Sequence, residues 1–594
     1  MARTSNTRRQ GRSSADEASY DVETRRRFGS GGGFFGFGPG GSGLPWVFGV
    51  LAFFLLVVCG RLVYLQVIEG PHYAQEAAAR RENELVLQAR RGTIYDRNGN
   101  VLAMSEECYD VYGNPQTIQD TDTVAGVVAK WLGGEESEYR SLLSQDGTFV
   151  YLRRKADKEA CESMRDELAS LKLEGVYLLQ QMRRVYPYGR TAGQVLGMVD
   201  VDGAGISGIE LAYDEQLSGT PGSMIMETGL GGIPIAGASA QTTRPVDGKD
   251  LVLSIDIDVQ KFVEDQMADA VVANKAESGM CMACNPKTGE IIAACSTPYV
   301  DLTDASSITN EGLKLKLVSD SFDPGSIFKV ITAAIALESG SAQTGTYFSV
   351  PPTILVGQGI VSDDDGRMET MDMNLREVLR RSSNVGAALI AEQAIGVDAF
   401  FEGVDHFGIG QLTGIDFPGE TTGMVHSKEE YDPSLLGSMA FGQGVTIPMV
   451  QMVRAVGAIA NQGKLLTPHF VTQVGGKPTE WADPTNAVSA DTAEKIADMM
   501  CTVTEDGTGY SSQVEGYDVA VKTGTGEQAK DGKYIKGKFL ASVIGFAPAS
   551  DPEVLLYVGL NETPYLSYSS AGPVFSAIMG EVLADMGVLS PQGL

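Results

Sequence analysis

The sequence has few of the residues that build the commonest hydrolytic and metal sites. It contains four histidines among 594 residues, no H-E-x-x-H motif, and no serine in a G-x-S-x-G motif. These absences argue against zinc peptidases of the H-E-x-x-H type and against α/β-hydrolases. No metal and no cofactor is predicted.

Basic residues are also scarce. The chain has 46 Lys and Arg against 76 Asp and Glu, which gives a formal net charge of −30, and it has no long basic run after residue 27. Because a nucleic-acid partner needs a basic face to bind phosphates, the composition predicts no nucleic-acid binding.

The cysteines do not form a recognisable framework. There are seven, an odd number, at irregular spacings, and such a set does not describe a disulfide scaffold. Cys281 and Cys284 form a C-x-x-C within a strand-like segment, where residues three apart point to opposite faces. We therefore predict that both are core cysteines rather than a redox or metal pair.

One long apolar segment lies near the N-terminus. Residues 44 to 60 carry no charge, and the segment continues to Ile68 if Arg61 snorkels, which predicts a transmembrane helix over 44–68. Residues 1–43 are polar and then Gly-rich, as in a disordered tail. The tail has seven Arg against four acidic residues, which predicts a cytoplasmic N-terminus and an extracellular remainder.

The remainder divides into two regions. Residues 69–245 mix short strands, turns and amphipathic helices. A stretch of small residues with Pro and Gly over 237–250 predicts a boundary, and residues 246–594 then alternate strands and helices without repeats, as in one large α/β unit.

A lysine interrupts an otherwise apolar helix in the segment DPGSIFKVITAAIALESG, residues 323–340. Burial disfavours the charged form of Lys329, and a neutral lysine is a base. Ser326 lies three residues earlier, so its hydroxyl shares a helix face with the Lys329 amine. This spacing is typical of a nucleophile beside its activator.

Two further motifs follow. Ser382 and Asn384 form S-x-N before an apolar helix, a pattern that by itself also suits a helix cap. K-T-G occurs twice. Lys287 lies among turn residues, which predicts a solvated hairpin, whereas Lys522 continues a strand, and Gly524 there would allow close approach of a ligand. The second copy is the functional candidate, since an extended strand can pair with an extended peptide.

The order S-x-x-K, S-x-N, K-T-G resembles penicillin-binding proteins and serine β-lactamases. The segments RRGTIYDRNGNVLA, RVYPYGRTAGQVLGMVD and GISGIELAYDEQLSGTPG resemble the pedestal motifs of class B penicillin-binding proteins, the monofunctional peptidoglycan D,D-transpeptidases. The resemblance implies a multidomain α+β or α/β chain: a membrane helix, an elongated mixed α/β pedestal domain over 69–245, and a transpeptidase domain over 246–594 with an antiparallel sheet packed by helices.

The resemblance also implies roles for the motif residues. Ser326 would attack the penultimate D-Ala carbonyl of a stem peptide, and Lys329 would accept its proton. Ser382 would relay protons to the leaving D-Ala, Asn384 would orient Lys329 and bind the substrate amide, and Lys522 would keep Lys329 neutral by like-charge repulsion.

Substrate binding would fall to the segment Thr523, Gly524 and Thr525, with both threonines on the terminal carboxylate. The backbone N–H groups of Ser326 and Thr525 would form the oxyanion hole. The implied partners are peptidoglycan stem peptides ending in D-Ala-D-Ala, β-lactams that acylate Ser326, the membrane, and a membrane-embedded glycosyltransferase of the shape, elongation, division and sporulation type.

Other functions share these motifs. A D,D-carboxypeptidase or a β-lactamase would pass the acyl group to water, but no E-x-x-L-N follows Asn384 to supply a class A deacylating glutamate. A β-lactam sensor or a cell-wall scaffold would keep the fold without the reaction. Among the transpeptidase roles, the compact pedestal favours division over elongation or sporulation.

Overall fold

The computed structural model describes most of the chain. The described residues are 43–73, 82–227, 241–357, 359–530 and 533–590. Residues 1–42 of the predicted tail, and residues 237–240 of the predicted boundary stretch, lie outside them.

The N-terminal helix α1 spans Gly43–Val63 and continues as a π-helical turn over Tyr64–Ile68. The stretch Trp46–Ile68 is 23 residues long, and within the described part of the chain it is the only helix long and apolar enough to cross a membrane. Its large apolar side chains are exposed, as expected for a helix whose solvent is lipid. The span agrees with the predicted transmembrane segment and indicates a single-pass membrane protein.

The rest of the chain alternates short strands and helices. The strands are β1 (Glu82–Leu87), β2 (Ile94–Tyr95), β3 (Val101–Gly113), β4 (Val150–Asp157), β5 (Val176–Val185), β6 (Gly222–Glu227), β7 (Gln241–Thr243), β8 (Leu251–Leu253), β9 (Ser278–Cys284), β10 (Ile291–Ser296), β11 (Phe348–Val350), β12 (Thr353–Val356), β13 (Gly359–Ser362), β14 (Met371–Met373), β15 (Lys464–Leu465), β16 (Val471–Val474), β17 (Lys477–Pro478), β18 (Thr485–Asn486), β19 (Ala520–Lys530), β20 (Lys533–Ala547) and β21 (Val554–Thr563). The helices after α1 are α2 (Thr121–Leu132), α3 (Glu136–Leu143), α4 (Lys158–Ser170), α5 (Gly193–Leu196), α6 (Gly208–Ala212), α7 (Asp214–Ser218), α8 (Ile257–Ala273), α9 (Lys316–Ser319), α10 (Lys329–Glu338), α11 (Leu375–Arg381), α12 (Asn384–Leu389), α13 (Gly396–His406), α14 (Pro433–Met439), α15 (Met449–Ala460), α16 (Ala490–Asp506) and α17 (Ala571–Asp585).

Several helices begin at a side-chain cap that the sequence supplies. Asp120, Asp157, Asp256 and Ser489 each accept a hydrogen bond from a backbone N–H in the first turn of α2, α4, α8 and α16, respectively. Such caps satisfy N–H groups that have no partner within the helix. The local sequence therefore sets where these helices start.

The pedestal region is built on β3, which pairs antiparallel with β4 on one side and with β5 on the other. Helices α2 and α4 cover one face of these strands, and Val111, Val124 and Met164 lie in their shared core. The three pedestal motifs meet at Glu210, whose fully buried carboxylate pairs with Arg91 and Arg184 at 2.6 Å each. This pairing ties Glu210 to residues 119 and 26 positions earlier in the sequence.

One sheet connects the two predicted regions. Strand β8 pairs parallel with β2 of the pedestal and antiparallel with β16, which lies more than two hundred residues later. Strand β8 ends at Leu253, and α8 begins shortly after it at Ile257. The boundary at 245/246 thus separates strands that share a sheet, and it stays a prediction.

The C-terminal region is a five-stranded antiparallel sheet of order β10-β9-β21-β20-β19 with helices on both faces. Helices α8 and α17 pack on one face, and α10, α15 and α16 belong to the core on the other. Strand β9 is buried throughout and alternates between the two cores. The predicted antiparallel sheet packed with helices is confirmed.

Candidate active site

The nucleophile candidate lies in a tight turn that leads into a buried helix. Gly325–Phe328 form a 3₁₀ turn, and α10 follows directly, so Ser326 remains partly accessible while Lys329 is 1% exposed. The Gly325 N–H donates to Gly442 O at 3.1 Å. A side chain on Gly442 would clash with the Gly325 carbonyl, which explains the glycine in the segment FGQG.

Four atoms surround the Lys329 amine. Its Nζ lies 2.9 Å from Ser326 Oγ and 3.3 Å from Ser382 Oγ. It donates to the Ser382 backbone oxygen at 2.6 Å and to Asn384 Oδ1 at 2.7 Å. The amine is therefore held by polar groups in a buried position, as a buried lysine requires.

The S-x-N residues are presented by a sharp change of direction between α11 and α12. Ser382 ends α11 in the left-handed conformation, with φ of 58°. Ser383, rather than Ser382, caps α12 by accepting from the Gly386 N–H at 2.8 Å. The helix-cap alternative thus applies to the middle residue of the motif, and the Ser382 hydroxyl is left for the site.

Lys522 enters the same cluster from β19. Its Nζ donates to Ser382 Oγ at 2.9 Å and to Thr523 O at 2.9 Å, and the residue is fully buried. Both lysines thus contact the Ser382 hydroxyl. The structure brings together all five predicted catalytic residues: Ser326, Lys329, Ser382, Asn384 and Lys522.

Burial is the largest cause of the altered pKa of both lysines. It lowers the pKa of Lys329 from 10.5 to about 7, while the negative charges of Asp363 and Asp364 act in the opposite direction. Burial also lowers the pKa of Lys522 well below its ordinary value, and the charge of Lys329 adds to that effect. The sequence prediction named both burial of Lys329 and repulsion between the two lysines, and burial is the larger effect on each of them.

The rest of the second K-T-G segment runs along the outer edge of the sheet. Strand β19 is the last strand of the five, so it can pair with an extended peptide. The hydroxyl of Thr523 lies 2.8 Å from that of Thr508, and the hydroxyl of Thr525 lies 2.7 Å from that of Ser567. Both threonines are thus fixed by hydroxyls that the sequence did not mark as functional.

Gly524 is also required by the packing of the site. A side chain at Gly524 would lie 2.5 Å from Ser542 Oγ and 2.9 Å from Ile327 Cγ2. The glycine therefore lets the turn that carries Ser326 pack directly on β19. Its proposed contact with substrate would have to use the backbone.

The first K-T-G copy lies elsewhere. Lys287 is exposed in the turn between β9 and β10 and pairs with Asp551 and Glu553 at 2.6 Å each, as the prediction of a solvated hairpin expects. Cys281 and Cys284 are buried in different cores, on opposite faces of β9. Burial raises the pKa of both thiols, which suits inert core cysteines.

A serine hydroxyl beside a buried amine, with a bridging hydroxyl and an edge strand that can pair with a peptide, has the geometry of a serine acyl-transfer site. Residues 279–580 match the family described as penicillin binding protein transpeptidase domain, and residues 86–253 match the penicillin-binding protein dimerisation domain. The chain belongs to class B of the penicillin-binding proteins, the peptidoglycan D,D-transpeptidases.

Individual relatives agree with this membership. Stage V sporulation protein D of Bacillus subtilis is 31% identical over 91% of this chain and 85% of its own length. Peptidoglycan D,D-transpeptidase FtsI of Escherichia coli is 30% identical over 92% of each chain. The structure of penicillin binding protein 3 of Mycobacterium tuberculosis, complexed with aztreonam, superimposes with a TM-score of 0.67 at 25% identity, covering 86% of this chain and 99% of that one. The predicted family, fold class, function and type of enzyme are confirmed.

Proposed function

We propose that Ser326 is the nucleophile of the transpeptidation and that Lys329 is its general base. The observation that carries this proposal is the 2.9 Å separation between Ser326 Oγ and Lys329 Nζ in a buried setting. A neutral amine has two N–H donors and one lone pair. The Ser382 carbonyl and Asn384 Oδ1 take the two donors, so the lone pair is left to face the Ser326 hydroxyl.

The first half-reaction forms an ester. Ser326 Oγ attacks the carbonyl carbon of the penultimate D-Ala while its proton passes to Lys329 Nζ. The bond to the terminal D-Ala nitrogen then breaks, and that nitrogen receives a proton through the Ser382 hydroxyl, which contacts both lysines. The backbone N–H groups of Ser326 and Thr525 stabilise the oxyanion in between.

The second half-reaction forms the cross-link. The amine of a neighbouring stem peptide attacks the ester carbon and loses a proton to Lys329, and the serine hydroxyl regains its own. Before acylation, Asn384 holds the donor peptide amide, and Thr523 and Thr525 bind its terminal carboxylate, which leaves with the terminal D-Ala. An extended donor peptide along β19 explains why both threonines lie on the edge strand.

Labelling with a fluorescent penicillin tests the nucleophile. The full-length chain in detergent is incubated with the probe, and the labelled peptide is identified by mass spectrometry. We expect the label on Ser326 in the wild-type chain and none in Ser326→Ala. Ser321→Ala, at an exposed position in the same segment, is the matched control and keeps the label. Undiminished labelling of Ser326→Ala contradicts the proposal.

Transfer and hydrolysis are separated by their products. With lipid II and a partner polymerase, we expect cross-linked dimer, whereas predominant free tetrapeptide would assign a D,D-carboxypeptidase. A sensor or a scaffold would give neither product. The supply of nascent strands by a membrane-embedded glycosyltransferase is part of this proposal.

We also propose the orientation and the domain limits given by the sequence. The N-terminal tail lies in the cytoplasm, the helix crosses once over 44–68, and the pedestal over 69–245 and the transpeptidase domain over 246–594 are extracellular. The Arg excess in residues 1–43 supports this orientation. Proteolysis of intact cells tests the orientation. We expect the pedestal and transpeptidase domains to be digested, and their protection would show that they lie in the cytoplasm.

A role in division stays a prediction, and midcell localisation of a fluorescent fusion checks it.

A further inference from the structure

A buried carboxylate lies behind the S-x-N residues, outside the groups assigned to the substrate. Asp363 follows β13, and its side chain is 3% exposed. The carboxylate accepts from Ser383 Oγ at 2.5 Å and from the Val385 N–H at 2.9 Å. It thus binds the residue on each side of Asn384.

The hydroxyl of the middle residue of the motif both donates and accepts a hydrogen bond. The Ser383 hydroxyl gives its only hydrogen to Asp363, and its oxygen accepts from the Gly386 N–H at 2.8 Å. The neighbouring backbone also takes part, since Asn384 Nδ2 donates to Ser362 O at 3.2 Å. The end of β13 with Asp363 thus makes hydrogen bonds with Asn384 itself and with the residue on each side of it.

Ser382 needs such support. Its left-handed backbone is unfavourable for a residue with a Cβ, and a conformation of this kind persists only where the surroundings impose it. The same conformation aims the Ser382 carbonyl and hydroxyl at Lys329 Nζ. Fixing Ser383 and Val385 fixes the segment in which Ser382 and Asn384 contact that amine.

An arginine pairs with Asp363. Arg367 Nη2 lies 2.7 Å from the Asp363 carboxylate and also donates to Pro351 O at 2.8 Å, and its side chain is 10% exposed. The other end of the guanidinium pairs with Asp365 at 3.0 Å. A carboxylate with a charged partner and two further donors is a strong and well-directed acceptor.

The negative charge of Asp363 also acts on the Lys329 amine. The charged groups that act on Lys329 come from two elements: Lys522 on β19, and Asp363 with Asp364 after β13, where Arg367 offsets part of the negative charge. The two aspartates raise the pKa of Lys329 and so oppose the effect of burial. Asp364 is exposed, and no hydrogen bond from its side chain to the S-x-N segment is found among the described residues.

We propose that Asp363 is a positioning residue of the transpeptidation: its carboxylate fixes Ser382 and Asn384 around the Lys329 amine and sets part of the charge that this amine meets. The inference rests on the proposed role of Lys329 as the general base. Asp363 touches no reacting atom. It acts through its hydrogen bonds with Ser383 and Val385 and through the effect of its negative charge on Lys329.

The test measures the second-order rate constant for acylation by a fluorescent penicillin, from pH 5 to pH 9, with the full-length chain in detergent. For Asp363→Asn we expect the plateau at high pH to fall roughly 10- to 100-fold, since small displacements of catalytic groups cost that much. We also expect its acid limb to move to lower pH, because a negative charge near Lys329 is lost.

Two further variants separate position from charge. Asp364→Asn removes a charge without a positioning bond, so its acid limb moves in the same direction while its plateau stays within about twofold of the wild type. Ser383→Ala removes the bond and keeps the charge, so its plateau falls and its acid limb stays. The double variant Asp363→Asn with Ser383→Ala loses less than the product of the single losses, because both act on one contact.

The outcomes distinguish this inference from the proposed function. If Asp363→Asn keeps the wild-type plateau or the wild-type acid limb, the inference is overturned while Lys329 remains the base. If the wild-type chain shows no acid limb, or is not acylated on Ser326, the proposed function fails first. Thermal unfolding checks that each variant is folded. Should Asp363→Asn not fold, Ser383→Ala carries the test, and an unchanged plateau there overturns the inference.

Discussion

The strongest prediction concerns the pH dependence of acylation in the wild-type chain. Burial lowers the pKa of Lys329 from 10.5 to about 7. At pH 7 an amine with a pKa of about 7 is roughly half neutral, whereas one with a pKa of 10.5 is neutral in about one molecule in 3,000. Burial therefore increases the fraction of usable base by about three orders of magnitude at neutral pH.

The sign follows from the protonation state of the amine. Above its pKa Lys329 is neutral and can accept the Ser326 proton, and below it the ammonium cannot. We expect the acylation rate constant to reach a plateau above about pH 7 and to fall about tenfold per pH unit below it. Stopped-flow measurement with a chromogenic or fluorescent β-lactam between pH 5 and pH 9 gives the profile.

A variant sharpens the test. Arg at position 329 keeps the positive charge but has no neutral form in this range, so Lys329→Arg should lower the rate constant about 10²- to 10⁴-fold at every pH. Circular dichroism at each pH is the control for unfolding. A wild-type rate constant that stays flat down to pH 5, or that still rises tenfold per pH unit at pH 9, would refute the reasoning.

Three further outcomes are expected. Glu210→Ala leaves Arg91 and Arg184 buried without their shared partner, so it should destabilise the fold by about 3–5 kcal/mol. The control Glu215→Ala, at an exposed site nearby, should change stability by less than about 0.5 kcal/mol. Equal thermal unfolding midpoints of the two variants would contradict this expectation. Gly524→Ala places a methyl group against Ser542 and Ile327, so both the thermal unfolding midpoint and the acylation rate constant should fall. A wild-type rate constant would mean that the turn carrying Ser326 does not depend on this packing. In the folded chain, Cys281 and Cys284 are buried, so they should react with a thiol reagent no faster than the chain unfolds. Faster labelling would show that β9 is accessible to the reagent in the folded state.

Much of the candidate site could be predicted from sequence because its signals are local. The spacing of Ser326 and Lys329, the S-x-N before an apolar helix, and the strand before Lys522 each lie within a few residues. The flanks also separated the two K-T-G copies, since turn residues surround Lys287 and an alternating strand precedes Lys522, and in the structure only Lys522 lies beside Ser382. The order of the three motifs then pointed to the family.

The supporting residues could not be predicted in this way. Asp363 lies in an Asp-rich loop that resembles any solvated turn, and Thr508 and Ser567 carry no motif. Each acquires its role from a partner brought close by folding: Ser383, Thr523 and Thr525, respectively. These pairs are 20, 15 and 42 residues apart, which is beyond the range of helix or strand periodicity, so they leave no periodic or spacing signal.

The amino-acid order by itself determined the membrane span, the three motifs and the type of chemistry, because helix periodicity, strand alternation and turn residues act over short distances. Only the tertiary structure decided that Thr508 and Ser567 hold Thr523 and Thr525, that Gly524 serves packing, and that β8 belongs to a sheet with both β2 and β16. Those outcomes depend on which distant segments exclude water from one another, and that is settled when the whole chain packs.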